Sequence, residues 1–167
     1  MSRKAFTVDE ADAMIPSLIE VFREIDAHRR AIREFAGKIE VLELIWGSAL
    51  RDPGHPDHAE FATHREDIDR CTRGIETAVA RGIWDRGIWL PQGGLEEGLV
   101  DFPSTYQGRW VCLCWKLGER HLAYWHEQDA GFRGRQKITD VQRRVMGTDD
   151  PDTIEDPGPD PDPDGDA

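Results

Sequence analysis

Residues 98–135 read GLVDFPSTYQGRWVCLCWKLGERHLAYWHEQDAGFRGR, and this stretch decides the fold. It holds three of the chain's six tryptophans and two of its three cysteines, a density of large apolar groups that marks a core segment. From Arg109 to Leu117 the side chains alternate. Val111, Leu113, Trp115 and Leu117 share one side, and Trp110, Cys112 and Cys114 share the other. Both sides are apolar, which predicts a central strand covered on both faces. Leu99 to Phe102 predicts a neighbouring strand that ends at Pro103, and Ile88 to Leu90 a further short one. Gly118-Glu119 predicts the turn from which Leu122 to His126 returns. One face of this sheet can take helices. The other needs a partner, and Trp110 is the residue expected at that contact.

Upstream, Thr7-Val-Asp-Glu10 has the form of a capping box, so a helix should start there. Ala11, Ile15, Leu18, Phe22, Ile25, Ile32, Ile39, Leu42 and Trp46 then recur at helical steps and give it one apolar face. Pro16 lies too deep for a first-turn proline and is expected to kink or split the helix. Gly47 to Asp57 is loop-like, and a second helix carries Phe61, His64, Ile68, Cys71, Ile75 and Ala78 on one face. Two such helices joined by a short loop predict an antiparallel, coiled-coil-like hairpin. Downstream, Thr139 should cap a short last helix.

Gly147 onward reads GTDDPDTIEDPGPDPDPDGDA. It has no basic residue and carries nine of the chain's twelve net negative charges, so the low isoelectric point belongs to the tail and the preceding body is at −3. Such a segment cannot bury enough apolar surface to offset its ordering entropy and is expected to be disordered. The expected class is α+β: a long antiparallel helical hairpin packed on a small antiparallel sheet of three or four strands, with a disordered acidic tail. The expected boundaries are a single domain over about 1–146, helices at about 8–45, 57–81 and 139–146, the sheet at about 88–126, and the tail at 147–167.

The strings GLVDFP (98–103), LCWKLGE (113–119) and WHEQDAGFRGR (125–135), with the opening FTVDEADAMIP (6–16), resemble the domain of unknown function 2203 family of prokaryotic proteins. The resemblance runs from about Phe6 to Arg135, the long helices matching only in character. Its pattern picks out Asp101, Pro103, Cys114 and Trp115, then Gly118, Glu119, Trp125 and His126, and finally Asp129, Gly131, Phe132 and Arg135. The chain departs from it at Cys112, where the family often has an aromatic residue, and in the acidic tail. The resemblance implies no activity.

His126 is the candidate general base or metal ligand, with Asp101 or Asp129 as the carboxylate that orients it; the alternative is a ring tied to a carboxylate that locks the turn before Gly131. Cys112 and Cys114 lie roughly 6–7 Å apart along one strand face, too far to share a zinc ion, and read as core thiols. Cys114 acting as a nucleophile beside His126 has no supporting signature. Trp115 and Trp125 read as core, or with Glu119 and Arg135 as the lining of a ligand groove. His55, Asp57, His58 and His64 lack the spacing of a helical metal site. Arg133, Arg135, Lys137, Arg143 and Arg144 form a basic stretch, but no nucleic-acid motif accompanies it. No phosphate-loop or dinucleotide fingerprint is present, so no cofactor is expected.

The odd, sparse cysteines and the missing apolar leader point to a cytoplasmic protein with no membrane segment. The favoured reading is a small binding or interaction module, homodimeric through its helices, with an unknown protein or small molecule as its partner. The alternatives are an enzyme or metal protein centred on His126 with Asp101 and Asp129, and nucleic-acid binding through the 133–144 stretch.

Overall fold

The computed structural model describes residues 4–155. Four helices and four strands follow one another as α1 (Val8–Trp46), α2 (His58–Gly82), α3 (Gly94–Glu97), β1 (Leu99–Tyr106), β2 (Arg109–Lys116), β3 (Tyr124–Glu127), β4 (Gln136–Lys137) and α4 (Asp140–Val145). The long helix, the second helix and the four-stranded antiparallel sheet are the elements of the expected α+β class. Packing divides the chain into two units. Glu20–Gly82 forms one, and the residues before and after it form the other. No helix among the described residues is long and apolar enough to cross a membrane.

In the Glu20–Gly82 unit, the two helices run antiparallel and approach closely where side chains are missing. A Cβ on Gly74 would strike the ring of His28, and one on Gly82 would strike Val21. Arg81 pairs with Glu24 at 3.2 Å between the same two helices. The connection is built from polar caps. Asp52 accepts from the Gly54 N–H, His55 Nδ1 from the Asp57 N–H, and His58 Nδ1 meets the Leu50 carbonyl at 2.7 Å. The loop histidines thus serve as turn-formers around the buried Leu50.

In the other unit, α1 starts with the expected capping box: the Glu10 N–H donates to Thr7 Oγ1 and the Thr7 N–H to the Glu10 carboxylate. Pro16 does not split this helix, which is continuous over 39 residues. Ala11, Ile15 and Leu18, on both sides of the proline, are fully or nearly fully buried. Their burial, at about 1.5–3 kcal/mol for each large side chain, offsets the roughly 3 kcal/mol a mid-helix proline costs.

The strand order is β1-β2-β3-β4, so β2 is central between β1 and β3, and it is buried on both faces. A two-residue turn at Gln107 (φ 52) and Gly108 (φ 72) joins β1 to β2, both central residues at positive φ as a tight hairpin requires. Trp110 is only 5% exposed within the single chain, so it is core and not the partner contact its position suggested.

The strand expected to end at Pro103 runs on to Tyr106. β1 is an edge strand, and Pro103 turns its backbone outward, where its missing N–H removes no bond to β2. That outer edge is covered. Asp101 exchanges both backbone bonds with Trp89, the Pro103 carbonyl accepts from the Phe6 N–H, and the Thr105 carbonyl from the Gly147 N–H. The strand expected at Ile88–Leu90 is accordingly a single bridge, Trp89 to Asp101. Such cover removes the open edge on which a second sheet would grow.

The first residues of the segment after Met146 lie against β1. Gly147 is seated on Thr105, the Asp149 carboxylate accepts from the Gly108 N–H, and Pro151–Thr153 forms a 3₁₀ turn capped by Asp150. The rest of the expected disordered segment lies outside the described residues. Thr139 caps α4 as expected, in a full capping box with Gln142.

Gly147 and Gly108 both have positive φ, but a Cβ would meet nothing at Gly108 and would strike the Phe6 carbonyl at Gly147. Gly108→Ala should therefore destabilise by about 1–2 kcal/mol, and Gly147→Ala by a further ~1–3 kcal/mol, measured by urea denaturation. Equal losses would show that the tail seat does not bear on the edge strand.

Candidate functional site: a buried Asp–Cys–His cluster

The turn at Gln107-Gly108 sets Tyr106 opposite Arg109, and the ladder then sets Asp101 opposite Cys114. On the other side of β2, Cys112 faces His126. Directly paired residues share a face, so Asp101, Cys112, Cys114 and His126 all project from one side of the sheet. Three of them converge. Donor atoms of Asp101, Cys114 and His126 all lie within 4.8 Å of one another, and all three residues are buried. Among the described residues this is the one group of such ligands.

The hydrogen bonds around the cluster are incomplete. His126 Nδ1 meets the Glu127 carbonyl at 2.7 Å; a carbonyl only accepts, so Nδ1 carries the proton. The opposite nitrogen, Nε2, is 3.3 Å from Asp101 Oδ2, a contact that is ionic only when the ring is protonated and that lacks the alignment of a hydrogen bond. Asp101 Oδ1 is buried and has no hydrogen-bond partner among the described residues. Side-chain exposures of 2% for His126 and 8% for Asp101 leave water little part in satisfying them.

Burial works against charge on His126, but the Asp101 carboxylate and the Glu127 carbonyl outweigh it and raise the imidazole above its ordinary value. For Cys114, burial and the neighbouring Asp101 carboxylate act together and push the thiol far up. A cysteine nucleophile needs its thiolate, so this environment opposes that role.

Arg135 lies against the same strand. Its Nη2 donates to both carboxylate oxygens of Glu119 at 2.7 Å and to the Cys114 carbonyl at 3.3 Å. Its guanidinium is held over the rings of Tyr124 and Phe132, 4.1 and 4.8 Å from their centroids. Glu119 also accepts from the Lys116 N–H, and its carbonyl accepts from the Trp115 indole N–H. The Gly118-Glu119 turn is therefore pinned by one carboxylate and one guanidinium.

Of the candidates read from the sequence, Asp101 and His126 do meet, and Cys114 joins them. Asp129 does not; it is exposed in the turn after β3. Trp115 and Trp125 project from the opposite face of the sheet, both buried, Trp125 edge-on to Tyr106 at 5.6 Å. They line no groove beside His126, while Glu119 and Arg135 are each other's partner. Two residues of the basic stretch are engaged in the same way: Arg135 is bonded to Glu119, and Arg143 binds Asp9 and the Leu122 carbonyl. The pairing of Cys114 with Asp101 runs across strands, and the Gln107-Gly108 turn fixes it.

The fold and this cluster define an α+β protein with a helical hairpin unit, whose sheet buries an Asp–Cys–His group. The chain belongs to the family described as uncharacterized conserved protein (DUF2203), whose model matches residues 4–138. No curated protein and no solved structure matches it.

Arg135 and Glu119 are 11% and 25% exposed, so removing one strands the other. Arg135→Ala should lower stability by about 2–4 kcal/mol, whereas Arg143→Ala, whose exposed partner Asp9 stays solvated, should lower it by less than ~1 kcal/mol. Urea melts of the two variants check this; the reverse order would show that the buried pair does not hold the turn.

Proposed function

We propose that this protein is a small binding and interaction module that works as a homodimer through its helical hairpin. The observation that carries the reading is the end of α1. Val41, Leu44 and Ile45 recur at steps of three and one, and with Trp46 they leave four large apolar side chains in solvent; Leu44 is 81% exposed. The face next to them is only partly covered, with Ile32, Phe35, Ile39 and Leu42 all half-buried. Leaving such a stripe in water forgoes about 1.5–3 kcal/mol for each large side chain. A second copy offers the same stripe, so a two-fold contact buries both at once.

The surroundings of His126 support this reading over an enzyme. The Asp–Cys–His group is sealed from solvent, and Arg135 is already bonded to Glu119. Association therefore falls to the helices and not to the polar cluster. Two of the five basic residues of the 133–144 stretch, Arg135 and Arg143, are held in ion pairs with Glu119 and Asp9, which weighs against nucleic acid as the partner.

The full chain should elute and scatter light as a dimer at micromolar concentration. Leu44→Glu, at an exposed position where it disturbs no core, should give a folded monomer with unchanged far-ultraviolet circular dichroism. A wild-type chain that is monomeric at tens of micromolar would overturn the proposal.

A further inference from the structure

The incomplete bonding of Asp101 and His126 has a chemical reading independent of how the hairpin associates. We propose that Asp101, Cys114 and His126 form a binding site for a single divalent cation of the zinc class. The site offers Cys114 Sγ, His126 Nε2 and the two oxygens of Asp101, the donor types zinc prefers; magnesium and calcium take oxygens alone. His126 is set up as a ligand. Nδ1–H donates a hydrogen bond to the Glu127 carbonyl, which fixes the ring and leaves Nε2 facing Asp101. Asp101 Oδ2 lies 3.3 Å from that nitrogen, and Asp101 Oδ1 is buried without a hydrogen-bond partner among the described residues. These are the groups an apolar interior does not leave unsatisfied without a reason.

Charge favours the same occupant. A thiolate and a carboxylate together balance a divalent cation, so a loaded site is neutral in the interior. Loading removes the thiol proton of Cys114 and leaves His126 neutral at Nε2, and the released protons pass to buffer. Ligand atoms around zinc lie roughly 3.3–3.8 Å apart, given bonds of about 2.0–2.3 Å. The present spread of up to 4.8 Å thus needs a contraction of about 1 Å, within reach of small side-chain rotations. Cys112 is on the same face but outside the converging group, which makes it the internal control.

The test uses the full chain, reduced and stripped of metal, with zinc(II) and cobalt(II) as probes. The expected result is one equivalent of zinc by elemental analysis and a rise in melting temperature on adding it. Cobalt(II) should give a sulfur-to-cobalt charge-transfer band that Cys112→Ser keeps and Cys114→Ser loses. His126→Gln should lower zinc affinity by at least about tenfold. If a variant fails to fold, the wild-type cobalt spectrum decides: a charge-transfer band supports the site, and its absence overturns it. Substoichiometric zinc on folded wild type, or a band that survives Cys114→Ser, also overturns it.

Discussion

The register of the β1–β2 hairpin is the constraint on which the rest depends. Gln107 and Gly108 both take positive φ, and this tight turn leaves one way to pair the strands. Because side chains alternate, a slip of one residue would move Asp101 to the face of Trp115 and Leu113. It would also move the backbone groups of Asp101, Pro103 and Thr105 away from Trp89, Phe6 and Gly147. The turn thus decides at once which carboxylate enters the interior and which segments close the edge.

Closing that edge links distant parts of the chain. The residues just before α1, the bridge after α2 and the start of the acidic tail each bond to alternate positions of β1. Pro103 fits this pattern because its carbonyl is used and its missing N–H falls where no ladder bond is needed. Asp149 and Asp150 show why part of an acidic tail can be ordered. One carboxylate caps the Gly108 N–H and the other starts a 3₁₀ turn, so local hydrogen bonds replace the missing apolar surface.

The two units handle polarity in opposite ways. In the sheet unit, polar groups are drawn inward: Glu119 with Arg135, and Asp101 with His126. In the hairpin unit, apolar groups are left outward at the end of α1. A polar group in the core needs a partner or an ion, and an apolar stripe in water needs a cover. The proposals of a bound cation and of a second copy answer these two separate requirements.

The sequence by itself determined what is local. Thr7 with Glu10 and Thr139 with Gln142 mark helix starts because capping acts within three residues. The apolar periods of α1, α2 and β2 give the elements, and β2, apolar on both sides, is central. The family resemblance placed His126 and Asp101 among the residues to watch. Only the tertiary structure decided that Cys114 joins them, that Asp129 stays in solvent, that Trp115 and Trp125 face away, and that Trp110 is core. Only it showed that α1 runs through Pro16 and that the tail begins by sealing β1. The reason is range: caps and periodicity act over a few residues, whereas register, edge closure and burial are fixed by hydrogen bonds and packing between segments far apart in the chain.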